Sequence, residues 1–206
     1  MKVLLINGSP KEKGNTAFAL EQMAEVFATQ GIETEMIHVG NLLIKGCQGC
    51  GACYKIGKCV IDDIVNETAL KLSEADGMVV GSPVYYASPN GTLLSFLDRL
   101  FYSTGKINKR MKVGASIVCA RRGGTTASMD VLNKYFTISE MPVASSTYWN
   151  IIHGSKPGDA EQDAEGIRTM RNLAKNMSYM IKALAAAKDT VELPEAEPKV
   201  FTNFIR

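Results

Sequence analysis

Four of the five cysteines in this 206-residue sequence lie close together, at Cys47, Cys50, Cys53 and Cys59. They are separated by two, two and five residues; Gly46 precedes them and three further glycines, Gly49, Gly51 and Gly57, lie among them. In a reducing compartment, such a dense group indicates metal or redox chemistry before disulfide formation. The fifth cysteine, Cys119, ends an apolar run and is predicted to be buried.

Four interpretations of this spacing stay open on the residues alone. Cysteines three residues apart on a glycine-rich loop can wrap one corner of an iron–sulfur cubane, with backbone N–H groups left to bond sulfide. Zinc sites favour two separated Cys-x2-Cys pairs and therefore fit less well. A redox-active dithiol is a third interpretation. The fourth is a reduced loop that binds nothing.

A second group of polar residues follows the first apolar run of the chain and leads into a helical pattern. Gly8 allows a tight turn and Gly14 allows close approach of a ligand to the backbone. Free N–H groups at the helix start, together with the helix dipole, favour an anion such as one phosphate group. The spacing is neither that of a P-loop nor that of a dinucleotide fingerprint. The candidate residues are Ser9, Pro10, Lys11, Gly14, Asn15 and Thr16.

Two later loops also follow apolar runs. The first is bounded by prolines and presents aromatic groups that can flank a flat heteroaromatic ring. The second exposes backbone N–H groups that can bond ring carbonyls, with an arginine nearby to stabilise negative charge on a reduced flavin. The candidates are Pro83, Val84, Tyr85 and Tyr86 in the first loop, and Arg121, Arg122, Gly123, Gly124 and Thr125 in the second.

The elements that must position these loops alternate between short apolar strands and amphipathic helices. Strands are predicted at 2–6, 33–39, 78–80, 113–119 and, more weakly patterned, 143–148. Helices are predicted at 16–30, 62–75, 90–102, 125–136 and 158–188. This alternation predicts an α/β fold with right-handed crossovers.

The expected architecture is a flavodoxin-like, doubly wound, five-stranded parallel sheet of order 2-1-3-4-5. In such a sheet, ligands bind beyond the carboxyl ends of the strands, where all three loops belong. We predict one domain over 1–188, with the cysteine loop at 46–60, and a C-terminal tail over 189–206.

Gly8-Ser9-Pro10, Gly14-Asn15-Thr16, the Ser82–Tyr86 segment and Arg122-Gly123-Gly124 together resemble the NADPH-dependent FMN reductase family of flavodoxin-like proteins. The resemblance covers roughly the first 150 residues. It implies FMN, with the phosphate on Ser9, Asn15 and Thr16 and the ring between the two later loops. It also implies a homodimer or tetramer with flavin near the subunit interface.

The cysteine loop resembles that of the iron-sulfur flavoproteins, relatives within the same fold family. That resemblance implies a [4Fe-4S] cluster beside FMN, held by Cys47, Cys50, Cys53 and Cys59. The expected activity is that of an FMN-dependent oxidoreductase in which NAD(P)H reduces the flavin and a small acceptor or ferredoxin reoxidises it. The alternatives are a non-enzymatic flavodoxin-type carrier and a redox sensor that uses the cysteine loop.

Charge and composition narrow the choice of partners. The formal net charge is +2, whereas flavodoxin carriers are usually strongly acidic. No aromatic stripe or basic helix indicates nucleic-acid binding. No apolar run is long enough to span a membrane, and the first residues do not resemble a signal peptide, so we expect a cytoplasmic protein.

Overall fold

A computed structural model describes residues 1–198, 200–202 and 204 of the chain. The strands are β1 Lys2–Asn7, β2 Glu33–His38, β3 Gly77–Tyr85, β4 Ser88–Pro89, β5 Val113–Ala120 and β6 Ile151–His153. The α-helices are α1 Asn15–Thr29, α2 Ala52–Ile56, α3 Ile64–Glu74, α4 Gly91–Ser103, α5 Thr125–Thr137 and α6 Ala164–Ala187. A 3-10 turn covers Asp159–Gln162. The molecule is therefore α/β, as the alternation of patterns predicts.

Five parallel strands form the sheet in the order β2-β1-β3-β5-β6. Counted among the parallel strands alone, this is the predicted flavodoxin-like order 2-1-3-4-5. The difference is the short β4, which pairs antiparallel with the end of β3. The sequence gives little indication of this hairpin because β4 is only two residues long and one of them is Pro89.

The predicted fifth strand at 143–148 is wrong. Only Val143 forms a bridge to β5, opposite Gly114. The chain then leaves the sheet, and the Ser146 hydroxyl donates to the carbonyl of Thr169 in α6 at 2.7 Å. The edge strand is β6 instead, which pairs with residues 118–120 of β5. The polar segment between Val143 and β6 bonds to α6, and such polar contacts cannot be predicted from a hydrophobic pattern.

The core is divided between the two faces of the sheet. Along β1, Val3 and Leu5 pack with α1 and α6, whereas Leu4 and Ile6 pack with the layer of α3, α4 and α5. Because both faces are covered, the strand appears in the sequence as a continuous apolar run.

Two predicted helices also differ in detail. The predicted helix 158–188 is a 3-10 turn followed by α6, and the Asp163 carboxylate caps α6 by accepting from the N–H of Gly166 at 2.9 Å. The short α2 lies inside the cysteine loop, where no helix was expected. Among the described residues, no helix is both long and apolar enough to cross a membrane. The domain boundary at residue 188 stays a prediction.

Candidate functional site

The loop between β1 and α1 is held by its own side chains. Asn7 Oδ1 accepts from the N–H of Ser9 at 3.0 Å, and Ser9 Oγ accepts from the N–H of Lys11 at 3.1 Å. Helix α1 begins after Gly14, and no side chain caps it there. Neither Asn15 nor Thr16 serves as the cap. The N–H groups of the first turn are therefore available to an anion, which is the arrangement that binds phosphate.

His38 of β2 and Asn90, the N-cap residue of α4, fix the position of this loop. His38 Nε2 lies 2.7 Å from the Ser9 carbonyl oxygen, and because a carbonyl only accepts, that nitrogen donates. Asn90 Nδ2 donates to the carbonyl of Gly8 at 2.7 Å and to that of Gly40 at 3.4 Å. A Cβ on Gly40 would lie 2.1 Å from Ser9 O, so only glycine permits this approach.

The second loop is the tip of the β3–β4 hairpin. Tyr86 and Ala87 both have positive φ values, 51° and 58°, which non-glycine residues rarely adopt. Both tyrosines are exposed and neither packs inward: 47% of the Tyr85 surface is accessible, and Tyr86 is fully exposed. The third loop touches the hairpin at Gly124, where φ is +86° and a Cβ would lie 2.6 Å from the Cα of Ala87.

These loops meet in one cleft at the carboxyl edge of the sheet, with a volume of about 260 Å³. Nine of the predicted residues line it: Ser9, Lys11, Gly14, Asn15, Thr16, Pro83, Val84, Tyr85 and Arg121. Six others lie in the same loops but outside that lining: Pro10, Tyr86, Arg122, Gly123, Gly124 and Thr125. The charged side chains of the described lining, Lys11 and Arg121, are both cationic, which suits an anionic ligand.

A further wall of the cleft comes from the loop after β6, which the sequence analysis missed. Gly154, Ser155 and Pro157 line the cleft. Asn15 holds this loop in place: its Nδ2 donates to the carbonyl of Lys156 at 2.9 Å, and its Oδ1 accepts from the N–H of Ala160 at 3.3 Å. This loop contains a glycine and a proline and directly follows β6. It would have been a candidate if β6 had been predicted as the fifth strand.

Cys119 and Ala120 at the end of β5 complete the lining. Cys119 is buried, as predicted. Burial raises the pKa of its thiol to about 12, and the nearby carboxylate of Asp163 adds to the shift. The thiol in the cleft is therefore neutral at physiological pH.

The four clustered cysteines line a second, smaller cavity of about 30 Å³, together with Arg99 and Tyr102 of α4. All four are free thiols, with Cys47 and Cys50 exposed. Among the described residues, no three of them lie close enough to hold one metal ion. The donor types suit an iron–sulfur cluster. In this conformation the cavity between the four cysteines is small.

An aromatic pair borders the cysteine cavity. The hydroxyls of Tyr54 and Tyr102 are hydrogen-bonded, with 2.9 Å between their oxygens, and the two rings meet edge to face with centroids 5.4 Å apart. The bond to Tyr54, with burial and nearby negative charge, raises the pKa of Tyr102 to about 12. This pair ties α2 to α4.

Comparison with known proteins agrees with this geometry. The family model for NADPH-dependent FMN reductase matches residues 1–156. An iron-sulfur flavoprotein from Methanocaldococcus jannaschii is 34% identical over 195 residues, covering 89% of this chain and 99% of that protein. One from Archaeoglobus fulgidus is 35% identical over 199 residues, covering 95% of this chain and 96% of that protein.

Solved structures support the fold independently of these sequence matches. A flavodoxin from the domain Archaea superposes with a TM-score of 0.59 at 17% identity, over 88% of this chain and 99% of that one. At that identity the likeness concerns the fold alone. The sequence matches are stronger evidence, because they cover most of both chains at higher identity. The chain belongs to the NADPH-dependent FMN reductase family.

Proposed function

We propose that the protein is an FMN-dependent oxidoreductase that takes electrons from NAD(P)H and passes them to a small acceptor or to ferredoxin. Membership of the family supports the flavin-dependent activity. One observation carries the proposal: the uncapped start of α1, the β3–β4 hairpin and the loop after β5 open on a single cleft at the sheet edge. The cleft is the place where doubly wound folds bind ligands.

The residues of the cleft fit FMN. The N–H groups at the start of α1, with Lys11, would hold the phosphate. Pro83 to Tyr85 would lie along one side of the ring. Arg121, which lines the cleft where Arg122 does not, would stabilise negative charge at the ring. When bound, FMN supplies hydride acceptance and electron donation, so no side chain is needed as acid or base.

We propose in addition that the cysteine loop holds a [4Fe-4S] cluster through Cys47, Cys50, Cys53 and Cys59. Two relatives similar over most of the chain are named iron-sulfur flavoproteins. The four thiols line one cavity, so the fold already gathers all four proposed ligands in one loop. A cluster would let the protein exchange single electrons with a partner such as ferredoxin.

The remaining parts of the proposal concern assembly and location. We propose a homodimer or tetramer, for which exposed Tyr85 and Tyr86 beside the cleft supply apolar surface. We also propose a cytoplasmic location, where reducing conditions keep the clustered thiols available.

A flavin titration joined to a steady-state assay tests the central proposal. We compare the wild type with Lys11→Ala and with Lys13→Ala, which removes the same charge from the same loop outside the cleft lining. Loss of one phosphate contact should weaken FMN binding about tenfold in Lys11→Ala. Lys13→Ala should bind as the wild type does. Wild-type protein that takes up no FMN, or that oxidises neither NADH nor NADPH with a quinone present, would overturn the proposal.

Anaerobic purification with iron and acid-labile sulfide assays tests the cluster. We expect about four irons per chain and broad absorption near ~400 nm beside the flavin bands. Replacing Cys50 with Ser should remove the iron and leave FMN bound. Flavin-loaded wild-type protein without iron would contradict the cluster and leave the flavin proposal intact.

A further inference from the structure

Arg99 of α4 is the largest fully buried side chain in the described part of the molecule, with 1% of its surface exposed. A buried guanidinium is costly unless its charge and its N–H groups are matched by partners. Arg99 lies on the buried face of the amphipathic helix α4, where the neighbouring side chains are mostly apolar. The contacts that Arg99 makes must therefore offset the cost of burying its charge.

Its first partner is the carboxylate of Asp63, which caps α3. Arg99 Nη1 donates to Oδ2 at 2.6 Å and Nη2 donates to Oδ1 at 2.9 Å, so the pair is bidentate. Two backbone carbonyls extend the set: Ile61 O accepts from Nη2 at 2.9 Å, and Lys45 O accepts from Nη1 at 3.4 Å. The guanidinium therefore joins the beginning and the end of the cysteine loop to one helix.

The remaining partner is a sulfur atom. Cys59 Sγ accepts from Arg99 Nε at 3.4 Å and from Nη2 at 3.3 Å. An arginine guanidinium stays protonated in proteins, because its pKa lies far above physiological pH. The group is a permanent cation against this sulfur.

We propose that Arg99 is the positioning residue of the cysteine site. It anchors both ends of the loop from 45 to 63 to α4, and it keeps a fixed positive charge at the Cys59 sulfur. The two exposed cysteines, Cys47 and Cys50, lie between these anchored ends.

The charge has a second consequence, which rests on the proposed cluster. An iron–sulfur cluster held by four thiolates gains negative charge on reduction. A cation beside one ligand stabilises the reduced state more than the oxidised one and raises the reduction potential. Arg99 would thus favour electron flow from reduced flavin to the cluster.

The anchoring role is tested on FMN-loaded, metal-free protein by amide hydrogen exchange. We compare Arg99→Met and Arg99→Lys with Lys106→Met, which removes an exposed cation beside the same loop, where Lys106 Nζ donates to Lys55 O. We expect amides of residues 58–66 to exchange at least about tenfold faster in Arg99→Met. Lys106→Met should match the wild type. Unchanged exchange in Arg99→Met would overturn the anchoring role.

The charge is tested by potentiometric titration of the iron-loaded proteins. The cluster potential should fall in Arg99→Met, stay near the wild-type value in Arg99→Lys, and be unaffected in Lys106→Met, while the flavin potential is constant in all four. A purely structural role predicts no rescue by lysine, and an equal shift in Arg99→Met and Arg99→Lys would overturn the charge assignment.

Two safeguards keep the results decisive. If Arg99→Met does not fold, Asp63→Asn replaces it in the exchange experiment, because it breaks the bidentate pair and keeps the shape. Wild-type-like exchange in Asp63→Asn would then count against the anchor. If wild-type protein holds no iron, the proposed cluster fails, and the exchange data alone decide the role of Arg99.

Discussion

Asn15, a predicted phosphate ligand that lines the cleft, also bonds a neighbouring loop through its side chain. Its place before a helix, after a glycine, indicated a phosphate ligand, yet its side chain holds the loop after β6 through the carbonyl of Lys156 and the N–H of Ala160. The backbone N–H groups of this turn are then the groups that we propose for phosphate binding, and the Asn15 side chain holds the wall formed by the loop after β6.

Replacing Asn15 with Ala should therefore loosen the loop at 154–157 and weaken FMN binding. Each lost neutral hydrogen bond is worth about 1 kcal/mol, so we expect the Kd to rise roughly tenfold. Flavin fluorescence titration measures it. Gly154→Ala should reproduce the effect, since its Cβ would lie 2.5 Å from Asn15 Nδ2. A loss in Asn15→Ala alone would instead indicate a direct phosphate contact.

Cys119 provides a prediction that depends on pH. Its folded pKa is raised from 9.0 to about 12 by burial. The folded state thus keeps a proton that the unfolded state releases, and the resulting stability is complete below pH 9 and is lost as pH rises toward 12. The wild type should lose about 1 kcal/mol per pH unit more than Cys119→Ala above pH 9.

Urea denaturation at pH 8, 9 and 10 measures this difference. Below pH 8, the two proteins should differ by a constant amount, set by the small void that the missing sulfur leaves. Parallel pH profiles across the whole range would show that the thiol ionises in the folded protein as readily as in the unfolded one.

At the scale of elements, α4 connects the two candidate sites. Its N-cap residue, Asn90, bonds the β1–α1 loop, and its later turns carry Arg99 and Tyr102 to the cysteine cavity. Asn90 has two tasks: its Oδ1 accepts from the N–H of Thr92 at 3.2 Å, and its Nδ2 donates to Gly8 and Gly40.

The two tasks are separable by substitution. Asn90→Asp keeps the acceptor for the helix cap and loses the donor, whereas Asn90→Ala loses both. Loss of the cap costs about 1 kcal/mol, and a buried carbonyl left without a donor costs ~1–3 kcal/mol. Chemical denaturation should give both variants a lower free energy of unfolding than the wild type, because Asn90→Asp also places a carboxylate against the Gly8 and Gly40 carbonyls. Equal stability of the wild type and Asn90→Asp would show that the bonds from Asn90 Nδ2 to Gly8 and Gly40 do not stabilise the protein.

The sheet was predictable from the sequence because its strands are buried on both faces. The apolar runs at β1, β3 and β5, with turn residues after each, determine the parallel order and the edge where the cleft opens. The edge strand β6 was not predictable. The three residues of β6 show no stronger strand pattern than Val143 and Ala144. Which of the two segments forms the edge strand depends on its pairing with β5, and that pairing cannot be seen in the sequence.

The residues of the candidate site were predictable to the same extent as the strands that precede them. The loops after β1, β3 and β5 were predicted as parts of the site, whereas the loop after β6 was missed because the fifth strand was misplaced. Arg99 was also missed, because one charged residue in an amphipathic helix resembles a solvent-facing one until its partners at Asp63 and Cys59 are known. Contacts between residues about forty positions apart leave no local signal in a single sequence.

At the scale of the whole molecule, most of the chemistry lies outside the elements that hold the fold. The core belongs to alternating strand residues and to helix faces, while both candidate sites are built mainly from connections, with α4 as the common support. Stability and activity should therefore respond to different substitutions.

The alternation along β1 limits how such a chain can change in length. Because Val3 and Leu4 point to opposite layers, deleting one residue between 2 and 7 would exchange the two layers and bury the wrong side chains throughout the strand. Insertions and deletions are tolerable only past the strand ends. New substrates can thus be acquired by lengthening a connection, with no revision of the interior.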